Sequence, residues 1–343
     1  MKDVAAAAGV AQSTVSRILN DSKAIIPASD ETRERVQAVA KELGYRPHPF
    51  ARALRGAKSM LVGAVVRDST DPFFAEAIEA LTIECTRRGY SVVLGNARSA
   101  ADEALALTAV LETRQCDALV LLGDFQGEER LVEDLRSAPM PVVALWHGSD
   151  RRGRPFPTVA VDSRAGIHAG MSHLTGLGHR RIAYVGTAGR YVIHDRELAY
   201  KEYLTTAGIA APNGYLCHVP NTIGGGEVAL SALLELPEPP TAIVAATDLL
   251  ALGVIHAAYA HGLEVPARLS VVGFDDIPLT AGTIPSLTTV KMPIAEMVAA
   301  AVEIAVGDAE GSSGGAGNPP RIVFTPDLVV RGSTATAPAD DVG

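Results

Sequence analysis

The chain has 343 residues, enough for two or three domains, and 48% of them are hydrophobic, enough to bury a sizeable core. Charged residues make up 20%, which argues against a disordered acidic protein, and three widely spaced cysteines without a CxxC argue against a disulfide framework or a cysteine zinc site. The net charge of −9 is unevenly spread: residues 1–58 carry ten Lys/Arg against six Asp/Glu, and the remainder carries 20 against 33. A basic head on an acidic body suits a DNA-reading module joined to a body that DNA repels.

Asp3–Asn20, DVAAAAGVAQSTVSRILN, reads as two short helices around a Gly9-Val10 turn. At about 100° per residue, Gln12, Ser13, Ser16, Arg17 and Asn20 share a polar arc roughly 140° wide. Thr14, Val15, Ile18 and Leu19 face the other way, toward Val4, Ala5 and Ala8 of the first helix. An apolar back with a short polar front carrying one Arg is what a helix-turn-helix places in the major groove. A third helix is expected from Asp30 to Leu43, with Val36, Val39, Ala40 and Leu43 as its apolar stripe. Ser29 or Asp30 supplies its N-cap and Gly44 its end.

Pro47-His48-Pro49 is a stiff break, and PFARALRG after it is too short to stay helical alone in water. Arg52 and Arg55 can meet phosphates, and Leu54 is an apolar residue with no obvious core. Two readings stand: an ordinary linker, or a hinge helix that presses Leu54 between base pairs in the minor groove.

From Met60 the pattern changes to β-rich runs alternating with helical ones: MLVGAVV, SVVLGNA, DALVLLG and PVVALW, then TVAVDS, RIAYVG, YLCHV, AIVAA and SVVGF. Two such series predict parallel α/β layers in two lobes around a cleft, with ligands at the carboxyl ends of strands. Ala242–Ala260 holds 19 residues with one formal charge, Asp248, but reads as a buried strand, a turn and a helix rather than a membrane span. Gly307–Pro320 reads as a surface loop and RIVFTPDLVV as a last strand; no leucine heptads follow it.

Head, hinge and body together resemble the LacI/GalR family of bacterial transcriptional regulators. The resemblance rests on DVAAAAGVAQSTVSRILN, ETRERVQAVAKELGYRPHPFARALRG and LVGAVV, then on DPFF, GLGHRRIAYV, DRELAYKEYL, VPARLSVVGFDDIP and PSLTTV, in family order from residue 2 to about 332. It implies a small all-α helix-turn-helix head on an α/β body of two Rossmann-like lobes, the periplasmic-binding-protein type 1 fold. It further implies a dimer on a pseudo-palindromic double-stranded DNA operator, with affinity set by a small-molecule effector, a sugar or sugar derivative. Gln12, Ser13 and Arg17 match base-reading positions, where Gln suits adenine and Arg guanine. Ser16, Asn20 and Thr32 match backbone-contact positions, and Leu54 matches the hinge leucine that wedges a central CG step. In the body, Arg196 matches the effector-binding arginine and Asp275, first Asp of GFDD, its acidic partner; alternatively the two pair with each other across the cleft. Asp248 is placed at a pocket-lining position, and Phe73 and Phe74 at the mouth of the first lobe. Asn221 falls where sugar-binding members often carry an aromatic ring, and Met292 where some carry a polar residue.

These residues divide the chain into a head at 1–46, a hinge at 47–58 and a body at 59–332, with a disordered tail at 333–343. The first lobe spans about 59–158 and 291–322, and the second about 159–290 and 323–332. The head departs from the family pattern. Met1-Lys2 opens the first helix where a Ser or Thr is usual, and for that helix a start upstream is expected; Ala11 stands where Ser normally caps the second, and the loop before Thr32 is about three residues longer than usual.

Several motifs are set aside. GSSGG, Gly311–Gly315, matches GxSxG but lies in a glycine run with no strand before it. His168, His173 and His179 are not spaced for one helix face, so no metal is expected. Gly224-Gly225-Gly226 is read as a flexible loop entering a helix rather than an anion cradle. No nucleophile–base set or cofactor glycine pattern stands out, so neither an enzyme nor a cofactor is expected. A solute-binding protein on the same body is the alternative; the basic head, the hinge and the lack of an export signal count against it, and favour a cytoplasmic regulator without a membrane partner.

Overall fold

The structure, a computed structural model, describes residues 1–20, 29–45, 58–98, 100–113, 116–124, 129–145, 156–188, 191–210, 212–309 and 319–339. Arg52, Leu54, Arg55, Gly311–Gly315, the long loop after Asn20 and the last four residues lie outside them, as does the side chain of Asn20.

Among the described residues the head is three helices, α1 Lys2–Ala8, α2 Gln12–Asn20 and α3 Asp30–Glu42. Its own small core joins Val4 and Ala8, Val15 and Ile18, Val36 and Ala40. Gly9, at φ 66°, takes the left-handed conformation that ends α1. Arg35 then donates from Nε to the Ala8 carbonyl (3.1 Å), satisfying one of the acceptors that α1 leaves open. The Ser29 hydroxyl caps α3 by accepting from Thr32 N (3.3 Å). No side chain caps α1, and Ala11 offers α2 only its carbonyl, which accepts from Val15 N.

Among the described residues the body holds two six-stranded sheets. In chain order its elements are β1 Leu61–Val66, α4 Pro72–Arg87, β2 Ser91–Asn96, α5 Ala101–Thr113, β3 Ala118–Leu122, α6 Glu129–Leu135, β4 Val142–Leu145 and β5 Thr158–Val161. Then come α7 Ser163–Gly176, β6 Ile182–Gly186, α8 Tyr191–Ala207, β7 Leu216–His218, α9 Ile223–Leu234, β8 Ala242–Ala245, α10 Asp248–Ala260 and β9 Ser270–Asp275. A 3₁₀ turn, Pro278–Gly282, precedes β10 Thr288–Lys291, α11 Ile294–Ala309, β11 Arg321–Phe324 and β12 Asp327–Val329. The first sheet runs β11-β5-β4-β3-β1-β2, all parallel; the second runs β12-β10-β9-β8-β6-β7, parallel except for the β10–β12 pair. The central strands are buried along their length, as helices on both faces require.

Four expectations need correction. RIVFTPDLVV is two strands, because the chain leaves the first sheet after Phe324 and joins the second at Asp327. Pro326, without an N–H, sits at that break. β5 and all of β11 belong to the first sheet, so the crossings follow Val161 and Phe324 rather than residues 158 and 322. Residues 333–339 of the tail are not disordered but packed onto the second lobe. Ser333 is buried, donating to the Val271 carbonyl (2.6 Å) and accepting from Thr288 N (2.8 Å), while Ala337 N reaches the Leu177 carbonyl (2.8 Å). His179 of GLGH holds this strap: Nε2 donates to the Ala335 carbonyl (3.1 Å), leaving Nδ1 to accept from the Thr241 hydroxyl (2.9 Å). Finally, Gly224–Gly226 lie inside α9, whose N-cap Thr222 accepts from Gly225 N (3.0 Å). A Cβ on Gly226 would stand 2.2 Å from the Leu250 carbonyl, and one on Gly253 2.0 Å from that of Ile223. These glycines let α9 and α10 touch backbone to backbone.

The helix α6 has no counterpart in the strand-by-strand expectation. Its seven residues, ERLVEDL, are too few to show a helical period.

Candidate nucleic-acid interface and ligand cleft

On α2, Gln12, Ser13 and Arg17 are exposed, so the three residues expected to read bases stand free on one face. Ser16, expected beside them, is instead buried, at 6% exposure. A hydroxymethyl group reaches less far than the Gln and Arg around it and lies beneath the surface they define. Thr32 is half-buried in the first turn of α3, its hydroxyl 2.9 Å from that of Ser29.

Between the lobes lies a cleft. Its polar walls come from strand carboxyl ends and the turns after them. Arg67 follows β1, Gly123 and Asp124 follow β3, Thr247 follows β8, Asp275 ends β9 and Met292 follows β10. Arg196 enters from α8, and Asp71, Phe73 and Phe74 from the start of α4. Asp71 caps α4 through Phe73 N (3.2 Å), and Pro72 opens the helix with φ already set. The two phenyl rings meet edge to face at 5.1 Å, and the Arg67 guanidinium lies over Phe74 at 4.9 Å.

Arg196 is buried and heavily engaged. Nη1 donates to the Ala246 carbonyl, both Nη atoms reach Asp275 Oδ1 at 3.3 Å, and Nη2 lies 3.9 Å from Met292 Sδ. Its guanidinium stacks on Phe274 at 3.6 Å. The Arg196–Asp275 pair therefore forms, but within the second lobe and not across the cleft. Asp275 sits at φ 119° and Asp276 at φ 59°, an uncommon succession for non-glycine residues, and Arg331 holds Asp276 at 2.6 Å. Burial pushes the Asp275 carboxyl up to about 7, against the pull of Arg196.

Asp248 does not line the cleft. It is fully buried, accepting from Ile277 N (2.8 Å) and the Thr289 hydroxyl (2.5 Å), and burial raises its pKa well above its ordinary value. Thr247, the N-cap of α10, takes the lining position. Asn221 bridges the lobes at the cleft edge: Nδ2 donates to Asp71 Oδ2 (3.3 Å) of the first lobe, and Oδ1 accepts from the Thr247 hydroxyl (2.5 Å). Arg67, Asp71, Asp124 and Thr247 went unforeseen. The signal available for them was the rule that ligand sites gather at strand carboxyl ends. Among the described residues no group of His, Cys, Asp and Glu is arranged to hold a metal ion, and no helix is long and apolar enough to cross a membrane.

Comparison with known proteins agrees with both parts of the molecule. Residues 1–48 match the family model of bacterial regulatory proteins, lacI family, and residues 171–334 that of a periplasmic binding protein-like domain. The chain is 32% identical over 339 residues to the HTH-type transcriptional repressor CytR of Escherichia coli (strain K12), covering 98% of this chain and 97% of that one. Among solved structures it resembles the lac repressor dimer bound to operator and the anti-inducer ONPF, at TM-score 0.86 and 27% identity over 97% of this chain and 98% of that one. It also resembles the transcriptional regulator CelR in complex with cellobiose, at TM-score 0.73 and 28% identity over the same shares. These relatives are transcriptional regulators rather than enzymes, and a free-standing solute-binding protein is not favoured. With its helix-turn-helix head and two-lobed body, the chain belongs to the LacI family of bacterial transcriptional regulators and is itself a DNA-binding regulator of transcription.

Proposed function

We propose that the protein is a cytoplasmic, homodimeric repressor whose operator affinity is set by a small polyhydroxylated effector, a sugar or sugar derivative, held between the lobes. Gln12, Ser13 and Arg17 read bases in each half-site; Asn20, Thr32, Arg52 and Arg55 hold the backbone, and Leu54 wedges the minor groove. The observation that carries the reading is the convergence in one cleft of Arg196, Asp275 and Thr247 from one lobe with Arg67 and Asp71 from the other. Alternating donors and acceptors of this kind match the two-way hydrogen bonding of sugar hydroxyls. Among the described residues no nucleophile–base pair accompanies them, which supports a site that binds rather than reacts. The lac repressor structure holds operator and ligand together, and CelR holds cellobiose, which supports the same assignment here.

The test is a thermal-shift screen of sugars, sugar acids and nucleosides, followed by gel shift on the DNA upstream of the protein's own gene. Wild type is expected to retard that DNA at moderate salt and to change affinity with the stabilising compound, by the 5- to 150-fold, about 1–3 kcal/mol, usual for such coupling. Arg196→Ala is expected to abolish the response while operator affinity stays nearly intact. Loss of both would mark Arg196 as structural, and folded wild type that retards nothing would refute the assignment.

A further inference from the structure

The strands that carry the cleft have a second end, and the chain enters the body there. Ser59 donates from both its amide N and its hydroxyl to Asp117 Oδ1, each at 2.8 Å, and Met60 N donates to Asp117 Oδ2 at 2.9 Å. Both oxygens of one carboxylate are thus taken by two consecutive residues. The Ser59 hydroxyl also accepts from Leu61 N (3.2 Å), and Lys58 Nζ donates to the Tyr90 hydroxyl (3.3 Å). Met60 stands at φ 59°, a left-handed conformation that non-glycine residues avoid. It is held there on both sides, since its carbonyl accepts from Ser91 N (2.9 Å) and the Leu61 carbonyl accepts from Asp117 N (2.8 Å).

This clasp closes the amino ends of β1 and β3. The carboxyl ends of the same two strands lead to Arg67 and to Gly123 and Asp124 in the cleft. The two strands are adjacent and parallel, in register from Val62 opposite Ala118 to Val66 opposite Leu122. Both are buried from Val62 and Ala118 onward. At about 3.3 Å per residue they form a stiff pair roughly 17 Å long, with the clasp at one end and the cleft at the other.

We propose that Asp117 is a positioning residue that ties the chain leaving the head to the first lobe, so that movement at the cleft end of β1 and β3 reaches residues 58–60 instead of being lost in a slack joint. It touches neither DNA nor effector. The proposal rests on the reading of the protein as an effector-controlled regulator.

The experiment uses full-length protein as wild type, Asp117→Ala, Asp117→Asn and Ser59→Ala. Three quantities are measured below every variant's melting temperature: amide hydrogen exchange at residues 58–62, affinity for the upstream DNA, and affinity for unrelated DNA. Hydrogen bonds to a charged acceptor set the scale, so Asp117→Ala is expected to speed exchange at Ser59 and Met60 about tenfold or more. Its operator affinity is expected to fall about tenfold, with nonspecific affinity within about twofold of wild type. Ser59→Ala keeps both amide bonds and is expected to fall between; Asp117→Asn keeps the acceptor for Ser59 but turns an NH₂ toward Met60 N, and is expected near Asp117→Ala. Operator affinity unchanged in Asp117→Ala and Asp117→Asn, with their amides released, overturns the proposal, as does an equal fall in operator and nonspecific binding. Wild type that fails to retard the upstream DNA removes the regulator reading and the proposal with it, whereas wild type that binds alongside an equally tight Asp117→Ala removes the proposal alone.

Discussion

Asp275 is the residue whose protonation the fold alters most legibly. Its carboxyl lies near 7 in the folded protein and near 4 in the unfolded chain, because burial removes the water that would solvate its charge. The folded state therefore binds this proton more tightly. The stability it brings is full below about pH 4 and is lost as pH rises through about 7. We expect the difference in unfolding free energy between wild type and Asp275→Asn to fall across that window, measured by urea denaturation at stepped pH; a flat difference would contradict the shift. Arg196, Asp275 and Met292 were legible because they sit in short motifs with a recognisable order. Thr247 was missed by one position. The N-cap faces the end of the strand, and the next residue turns about 100° into the lobe, so an error of one residue exchanges a cleft wall for a buried staple. Arg67 and Asp124 follow strands buried from Val62 and Ala118 onward; the strand-end rule alone pointed to them, because the apolar runs themselves carry no mark of the polar residue that will end at a cleft.

At the scale of elements, strands and long helices were readable because their apolar patterns are strong, while junctions were not. The contact between α9 and α10 shows why. Glycine signals a loop when the chain is read alone, and only a second helix lying against it reveals a packing role. We expect Gly253→Ala, whose methyl group would meet the Ile223 carbonyl at 2.0 Å, to cost about 3 kcal/mol or more, and Gly226→Ala a similar amount. Gly282→Ala, where a Cβ meets nothing within 4 Å, is expected to stay within about 1 kcal/mol of wild type. Chemical denaturation of the three variants separates helix contact from general glycine flexibility; equal losses would refute the contact. The same logic explains the tail. Ser333, Thr334 and Ala335 look like a small polar terminus, yet their partners are Thr288, His173 and His179, up to 161 positions away, and no local pattern announces them.

At the scale of the whole molecule, both sheets are completed late in the chain. The first receives α11 over its face and β11 at its edge; the second receives β12 at its edge. The head, by contrast, has a core made only of residues up to Tyr45. During synthesis these facts set an order of events. At about 5–20 residues per second, roughly 15–60 s separate completion of the head from completion of the lobes. Ribosome-bound chains stalled at residue 292 are expected to show a protease-resistant head and cleavable lobes, and resistant lobes at that length would show that α11 and the late strands are dispensable for folding. On that order a nascent chain completes its helix-turn-helix head before the lobes it is joined to, and for that interval would carry the head without a finished body.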